Sequence, residues 1–419
     1  MSASGSVVLV DVYGPTMRLM RAFADAGRRV VRVQSTPEVP PSYRPGFDPD
    51  AFAINIVHTG DFAALVAAVA EYEPAAVLTA GELGVELADA LAEALGLPGN
   101  GTALSEARRN KFGQNEALRA AGVPAARQLL VSSAEELELW HEELGGRVVV
   151  KPVRSMGNDG VSFCDTPQDS VDAYKALHGH PNTFDIINEG VVAQEYLVGV
   201  EYAVDTASCR GHHRITDVWQ YTKINVNGVV DRMAGHFTVG PDNPVWSVLG
   251  DYARRVLDAL GVGYGPAHLE VIVTDDGPRL VEGGFRIAGA SVPLYAELAA
   301  GESQITWTLD AYLDPDRFVA EHERPYRLVN HVAQAFPTSP VSGVLRSYPG
   351  LEAVRRLESF HSVIEHVSPG ERLSRTVCNS TEPLIIALAH PRPEVVASDL
   401  ASVNYLDGPG FYDVEEDTP

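Results

Sequence analysis

Two glutamates twelve residues apart, Glu270 and Glu282, flank the segment Thr274-Asp275-Asp276-Gly277. Asp-Gly is a hairpin turn signal, and the apolar runs 267–273 and 278–282 read as the two strands, so the spacing predicts both carboxylates on one face of neighbouring strands. Two carboxylates on an inner sheet face repel each other unless a cation lies between them. Hard oxygen ligands of this kind favour magnesium bridging nucleotide phosphates. The competing reading is a pair of glutamates on an exposed edge. Arg286 follows in Gly283-Gly284-Phe285-Arg286. Its guanidinium could hold a carboxylate, stabilise the oxyanion that develops when an amine attacks, or simply pair with Glu282.

Cations stand upstream. Lys151 ends the run Val148-Val149-Val150-Lys151 and leads into a loop carrying Ser155, Gly157 and Gly160. A strand-end ammonium beside a Ser/Gly loop outlines a phosphate clamp, with charge from the lysine and close backbone N–H donors from the loop. A surface turn with a solvated lysine has the same outline. Lys111 opens a helical stretch and taken alone is a surface residue. The run Gln194-Glu195-Tyr196-Leu197, with Glu201 four residues after the leucine, joins two strands and could offer backbone groups to a purine edge and Glu201 to ribose hydroxyls. His236 and His268 also fall on inner strands, where each reads more simply as a structural histidine than a catalytic one.

The elements that must position these residues follow from periodicity. Residues 7–97 alternate short apolar runs with amphipathic stretches ending at Gly27 and Gly96, which predicts βαβ units on a small parallel sheet. No G-x-G-x-x-G follows the first strand, so a dinucleotide turn is excluded. A turn-rich break at 96–101 predicts a subdomain boundary. Beyond it come a helix over 104–121, a strand at 128–131, a helix opened by the capping box at Ser133, and the strand ending at Lys151. From 191 the chain becomes strand-rich, with one long helix near 244–260, which predicts an antiparallel sheet in an α+β half. Strands near 328–335, 361–367 and 384–390 and a helix near 393–401 complete the reading.

The chain has 419 residues and a formal net charge of −24. That length predicts more than one packed core, and the acidic surface argues against binding nucleic acid or an anionic membrane. Three cysteines without C-x-x-C spacing support neither a disulfide framework nor a zinc site. With no long apolar run, a cytoplasmic location without membrane association is the expectation.

The order of Lys111, Lys151 with its Ser/Gly loop, Gln194-Glu195-Tyr196-Leu197, Glu201, then Glu270, hairpin, Glu282 and Arg286 resembles the ATP-grasp superfamily over residues 105–290. The N-terminal βαβ unit looks like its pre-ATP-grasp domain. Glu282-x-x-x-Arg286, Gly235-His236 and the segment from Gly81-Glu82 to Asp89 look most like the L-amino acid ligases that make dipeptides and dipeptide-like antibiotics. The resemblance implies an α/β and α+β ATP-grasp fold: a Rossmann-like domain over 1–100, a lid-bearing subdomain over 101–190, and a catalytic half with an appended α+β segment over 191–419. It implies ATP phosphates on Lys111 and Lys151 under the loop of Ser155, Gly157 and Gly160. Gln194, Glu195 and Leu197 would frame adenine and Glu201 would take the ribose. Glu270 and Glu282 would hold two Mg2+ ions, for which Mn2+ could substitute. Arg286 would steady the acyl phosphate or tetrahedral intermediate, and His236 would line the substrate site. Gly284 departs from the pattern, standing where many ATP-grasp enzymes carry a metal-binding asparagine. The implied activity is ATP-dependent joining of a small-molecule carboxylate to an amine, and a homodimer is compatible with it. A ligase for substrates other than amino acids, a small-molecule kinase and a nucleotide-binding regulator without turnover are the alternatives.

Overall fold

The computed structural model describes residues 5–45 and 47–415. Strands β1 (Ser6–Val10), β2 (Val30–Gln34), β3 (Asn55–Val57) and β4 (Pro74–Thr79) form a parallel sheet in the order β3-β2-β1-β4. Every residue of β1 is buried, because helices cover both faces. Val7 and Leu9 meet Leu19 and Phe23 of helix Met17–Asp25, while Val8 and Val10 meet Leu65, Val69 and Leu91 on the other side. This double coverage is why the strand reads as an unbroken apolar run. The chain switches sides at β1, and ligands of parallel sheets gather off the carboxyl ends of the strands at such a point. Tyr13 and Glu82 lie there, after β1 and β4.

A second sheet contains β5 (Gln128–Leu130), β6 (Val148–Pro152), β7 (Ser162–Cys164) and β8 (Val191–Glu195), antiparallel in the order β5-β8-β6-β7. Helices Ala134–Leu144 and Pro167–Leu177 pack on one face through Leu137, Leu144, Tyr174 and Leu177. The Ser133 side chain caps the first of these helices, accepting from Glu136 N, but the expected box does not close, because the Glu136 carboxylate accepts from Ser132 N instead.

The C-terminal half is built on an eight-stranded antiparallel sheet. Its strands are β9 (Val200–Cys209), β10 (His212–Val226), β11 (Val229–Thr238), β12 (Gly265–Thr274), β13 (Gly277–Gly284), β14 (His331–Ala335), β16 (Phe360–Glu365) and β18 (Leu384–His390). Their order is β13-β12-β9-β10-β11-β14-β18-β16. The C-terminal strands thus extend the same sheet, and β15 (Gly343–Ser347), β17 (Arg372–Leu373) and β19 (Asp413–Glu415) form a small sheet of their own. Helix Val245–Ala259 covers the near end of the large sheet with Leu249, Tyr252, Val256 and Leu257.

Several elements differ from the sequence expectation. The helix expected over 104–121 is two helices, Ser105–Arg109 and Lys111–Ala120, because Asn110 takes extended angles and its side chain accepts from Phe112 N and Gly113 N as the cap of the second. Helix Pro167–Leu177 was not anticipated, although Thr166-Pro167-Gln168-Asp169 forms a full capping box with proline in the first turn. Helices Val292–Ala300, Gln304–Leu313 and Pro315–Glu321 also lay unread. Their apolar residues pack against the large sheet and the first domain rather than forming one clean stripe. The hairpin loop is Asp275-Asp276, and Gly277, at φ +96°, already pairs with Thr274. The glycine therefore sits one place beyond the centre of the turn.

Candidate active site

The register of β12 against β13 makes Glu270 and Glu282 direct cross-strand partners. Their side chains line one open cleft between the large sheet and the β5–β8 sheet. Lys111, Lys151, Ser155, Gln194, Glu195, Leu197 and Glu201 line the same cleft. Nine residues anticipated from spacing and resemblance thus converge on one cleft.

Each is held by its element. Lys151 stands one residue before the end of β6 and is buried, its Nζ donating to Val281 O at 3.2 Å. Burial pulls its pKa down to about 8, against the opposing pull of the Glu282 carboxylate. Lys111 is the first residue of its helix; its Nζ donates to Ser155 O at 2.6 Å and lies 3.0 Å from a Glu282 oxygen. One ammonium therefore ties the loop after β6 to the hairpin. In that loop Ser155 Oγ donates to Asp159 Oδ2 at 2.6 Å, and Gly157 and Gly160 take φ of +67° and +70°. At Gly160 a β-carbon would come within 2.6 Å of Leu177 Cδ2, so the tight return needs glycine. Gly157 and Gly160 shape the loop, while Met156, Asn158 and Asp159 present side chains to the cleft.

At the opposite wall Gln194 Nε2 donates to Gln128 Oε1 at 3.0 Å, which fixes the amide. The Glu195 carboxylate turns to Arg127, accepting from its backbone N and its Nε. Glu201 is buried and ion-paired with Lys223. Burial raises the Glu201 pKa, with Lys223 opposing. Lys223 was not anticipated. It sits on the polar end of β10, which runs five residues past the apolar stretch ending at Tyr221. Asp231, which accepts from Tyr196 Oη at 2.6 Å, also lines the cleft unanticipated.

Glu270 is a firm carboxylate. Burial pushes its pKa up, but the hydrogen bond to His268 and the charges of His268, Lys223 and Lys151 outweigh it. His268 is held as an imidazolium: burial opposes, yet Asp205, 2.7 Å from Nδ1, raises its pKa to about 10. Tyr221 Oη donates to Glu270 from the neighbouring side at 3.3 Å.

Arg286 and His236 stand beside the cleft rather than on its wall. Arg286 Nε donates to Glu82 at 3.1 Å, and Glu82 also holds Arg109, so one buried carboxylate from the first domain carries two guanidiniums. Tyr43 lies in the field of Glu82 and Arg286, its pKa raised chiefly by burial. His236 is buried on β11 opposite Tyr221, with Nε2 2.7 Å from Gln334 Oε1. Burial depresses its pKa to about 4, so the ring is neutral near pH 7. It reaches the Glu270 side through Tyr221, the ring centroids lying 5.8 Å apart.

Glu270 and Glu282 present hard oxygens, at least one of them firmly ionised, to a cleft lined by three lysines. Among the described residues no group of three His, Cys, Asp or Glu side chains could hold a metal alone. The pair therefore suits a divalent ion that takes its remaining ligands from a bound phosphate chain.

The chain is similar to several known proteins. An ATP-grasp domain model matches residues 145–293. The chain is 30% identical to dapdiamide A synthase of Enterobacter agglomerans over 97% of this chain and 96% of that protein. It is 25% identical to the L-arginine-specific L-amino acid ligase of Bacillus subtilis over 53% of this chain and 54% of that one. The crystal structure of an L-amino acid ligase from Bacillus licheniformis superposes with a TM-score of 0.76 at 20% identity, covering 99% of this chain and all of the other. The chain belongs to the ATP-grasp superfamily, as an ATP-dependent ligase that forms a carbon–nitrogen bond between a carboxylate and an amine.

Proposed function

We propose that the carboxylate partner is an amino acid or a close analogue, that the amine is that of a second amino acid, and that the product is a dipeptide-like amide. The names of the relatives support this class: besides the two above, a D-alanine–D-alanine ligase and an alanine–anticapsin ligase match at 26% and 23% identity. The observation that carries the site assignment is the cross-strand pairing of Glu270 with Glu282 at the mouth of a lysine-lined cleft.

In this reading ATP lies with its adenine against Gln194, Glu195 and Leu197, its ribose at Glu201 and its phosphates between Lys111 and Lys151. Glu270 and Glu282 would hold Mg2+, which supplies charge neutralisation on the phosphate oxygens. A substrate carboxylate oxygen attacks the γ-phosphorus, the bond to the β-phosphate oxygen breaks, and ADP leaves. The amine nitrogen, unprotonated, then attacks the acyl carbon. The carbon–oxygen bond to phosphate breaks, phosphate departs, and the nitrogen loses a proton. Arg286 faces the charge that builds on the carbonyl oxygen, and the protein's contribution is placement and fixed charge. Neutral His236, behind Tyr221, borders the substrate side.

The test is phosphate release with ATP and Mg2+ over all pairs of the twenty amino acids, followed by mass spectrometry of positive mixtures. One amide per phosphate is expected. ADP without free phosphate would replace the ligase mechanism by a kinase one, and no phosphate release or amide from any pair would overturn the substrate reading.

A further inference from the structure

The C-terminal region reaches back to the loop after β6. Segment 376–382 is pinned at both ends. Asn227 Nδ2, from the turn between β10 and β11, donates to Ser339 O and Thr376 O at 2.9 and 2.8 Å, and Glu382 is ion-paired with buried Arg232. Within it Thr381 Oγ1 accepts from Val377 N and Cys378 N at 2.9 and 3.0 Å. This internal bonding holds the tip, Asn379, in a fixed place. Asn379 Nδ2 lies 3.8 Å from where a β-carbon on Gly157 would stand, and Asn379 Oδ1 is buried without a hydrogen-bond partner among the described residues.

An amide oxygen left so costs on the order of 1–3 kcal/mol, which a nearby N–H would recover. In the adjoining loop Asp159 N and Val161 N are bonded within the turn, to Met156 O and Asn158 O. Gly157 N has no partner among the described residues. The Asn379 side chain thus stands beside Gly157 with Nδ2 as its nearer end and an unpaired Oδ1, and a half-turn of the amide would bring that acceptor toward the free Gly157 N–H. From the other side Tyr43 Oη, of the first domain, donates to Met156 Sδ of the same loop at 3.6 Å.

We propose that Asn379 is a positioning residue of the ligase reaction: its side-chain oxygen accepts the Gly157 N–H when the 155–160 loop folds over bound ATP, latching the loop to the C-terminal strap. The inference rests on the nucleotide site described above. Its consequence is exclusion of water, since an acyl phosphate that meets water before the amine is hydrolysed and its phosphate is released without amide.

Two readouts test it. In the first, amide exchange across 155–160 is followed by mass spectrometry with and without Mg2+ and a non-hydrolysable ATP analogue. In the second, the ratio of phosphate released to amide formed is measured with ATP. Wild-type protein should gain protection on nucleotide binding and keep a ratio near one. Asn379→Ala and the similarly sized Asn379→Leu should lose most of that protection and raise the ratio at least about threefold, without lowering the melting temperature. Asn379→Asp, which keeps an acceptor, should retain the protection. The latch is overturned if both variants keep wild-type protection and ratio, or if the wild-type loop gains no protection on nucleotide binding. Amide formation by the wild type reports separately on the ligase reading. Should Asn379→Leu misfold, Asn379→Ala, which only removes atoms from a half-buried turn, decides the matter alone.

Discussion

Replacing Lys151 by methionine separates function from stability, because the two should move in opposite directions. Lys151 is 4% exposed and burial draws its pKa from 10.5 to about 8. That fall corresponds to about 3 kcal/mol of lost preference for the charged form inside the fold. In the unfolded chain the group keeps its ordinary pKa, so at pH 7 it is charged in both states and the folded protein bears the cost. Stability should therefore rise as pH increases from about 8 toward 10.5, where the unfolded chain still binds the proton and the folded one does not. Lys151→Met removes the cost while keeping an unbranched stem, and should stabilise the protein by up to about 3 kcal/mol at pH 7. Catalysis goes the other way. A unit charge about 4 Å from a phosphate oxygen, at an effective dielectric near 20, interacts by about 4 kcal/mol, and loss of one such contact costs about 10²–10³-fold in rate. The assays are thermal melting from pH 7 to 10 and steady-state amide formation at saturating ATP. A variant that keeps a tenth of the wild-type rate, or melts lower at pH 7, would refute the reasoning. For the wild type, kcat/KM for ATP should fall as pH rises through about 8, because the free enzyme then loses the Lys151 charge.

Glu282→Gln should abolish Mg2+-dependent turnover without unfolding the protein, since it removes an oxygen proposed to bind the metal and the partner of Lys111; titrating activity with Mg2+ and Mn2+ checks it, and an unchanged metal dependence would remove Glu282 from the site. Arg286→Lys should lower kcat by about 10²-fold with little change in KM for ATP, if the lost fork acts on the acyl group as proposed and not on the nucleotide; initial-rate kinetics in both substrates read the split. Arg108→Ala should destabilise the fold by about 3–5 kcal/mol. Its fully buried guanidinium donates to Asp89 of the first domain and to Leu260 O at the end of helix Val245–Ala259; denaturant melting measures the loss.

The part of the site that could be read in advance is the part encoded by local pattern. A hairpin fixes the register of Glu270 on Glu282 within twelve residues. A strand end followed by Ser155, Gly157 and Gly160 marks a loop whether or not its partners are known. What stayed hidden depends on contacts between distant segments. Lys223 looked like loop because the end of β10 is polar, yet it pairs with Glu201 on the next strand. Tyr43 has no local signature and acquires its place by stacking on Tyr13 and touching Met156. The break at Asn110 was concealed by helix formers on both sides, although asparagine ahead of Lys111 is a capping signal.

The carboxylate of Glu82 gives the first domain an influence out of proportion to its distance from the hairpin. Because it grips Arg286 and Arg109 together, any carboxylate arriving at Arg286 must compete with an anion already in place. Reshaping the loops around Glu82 would retune which acid succeeds in that competition while the nucleotide machinery stayed as it is, so new products could arise from changes in one layer of the molecule alone.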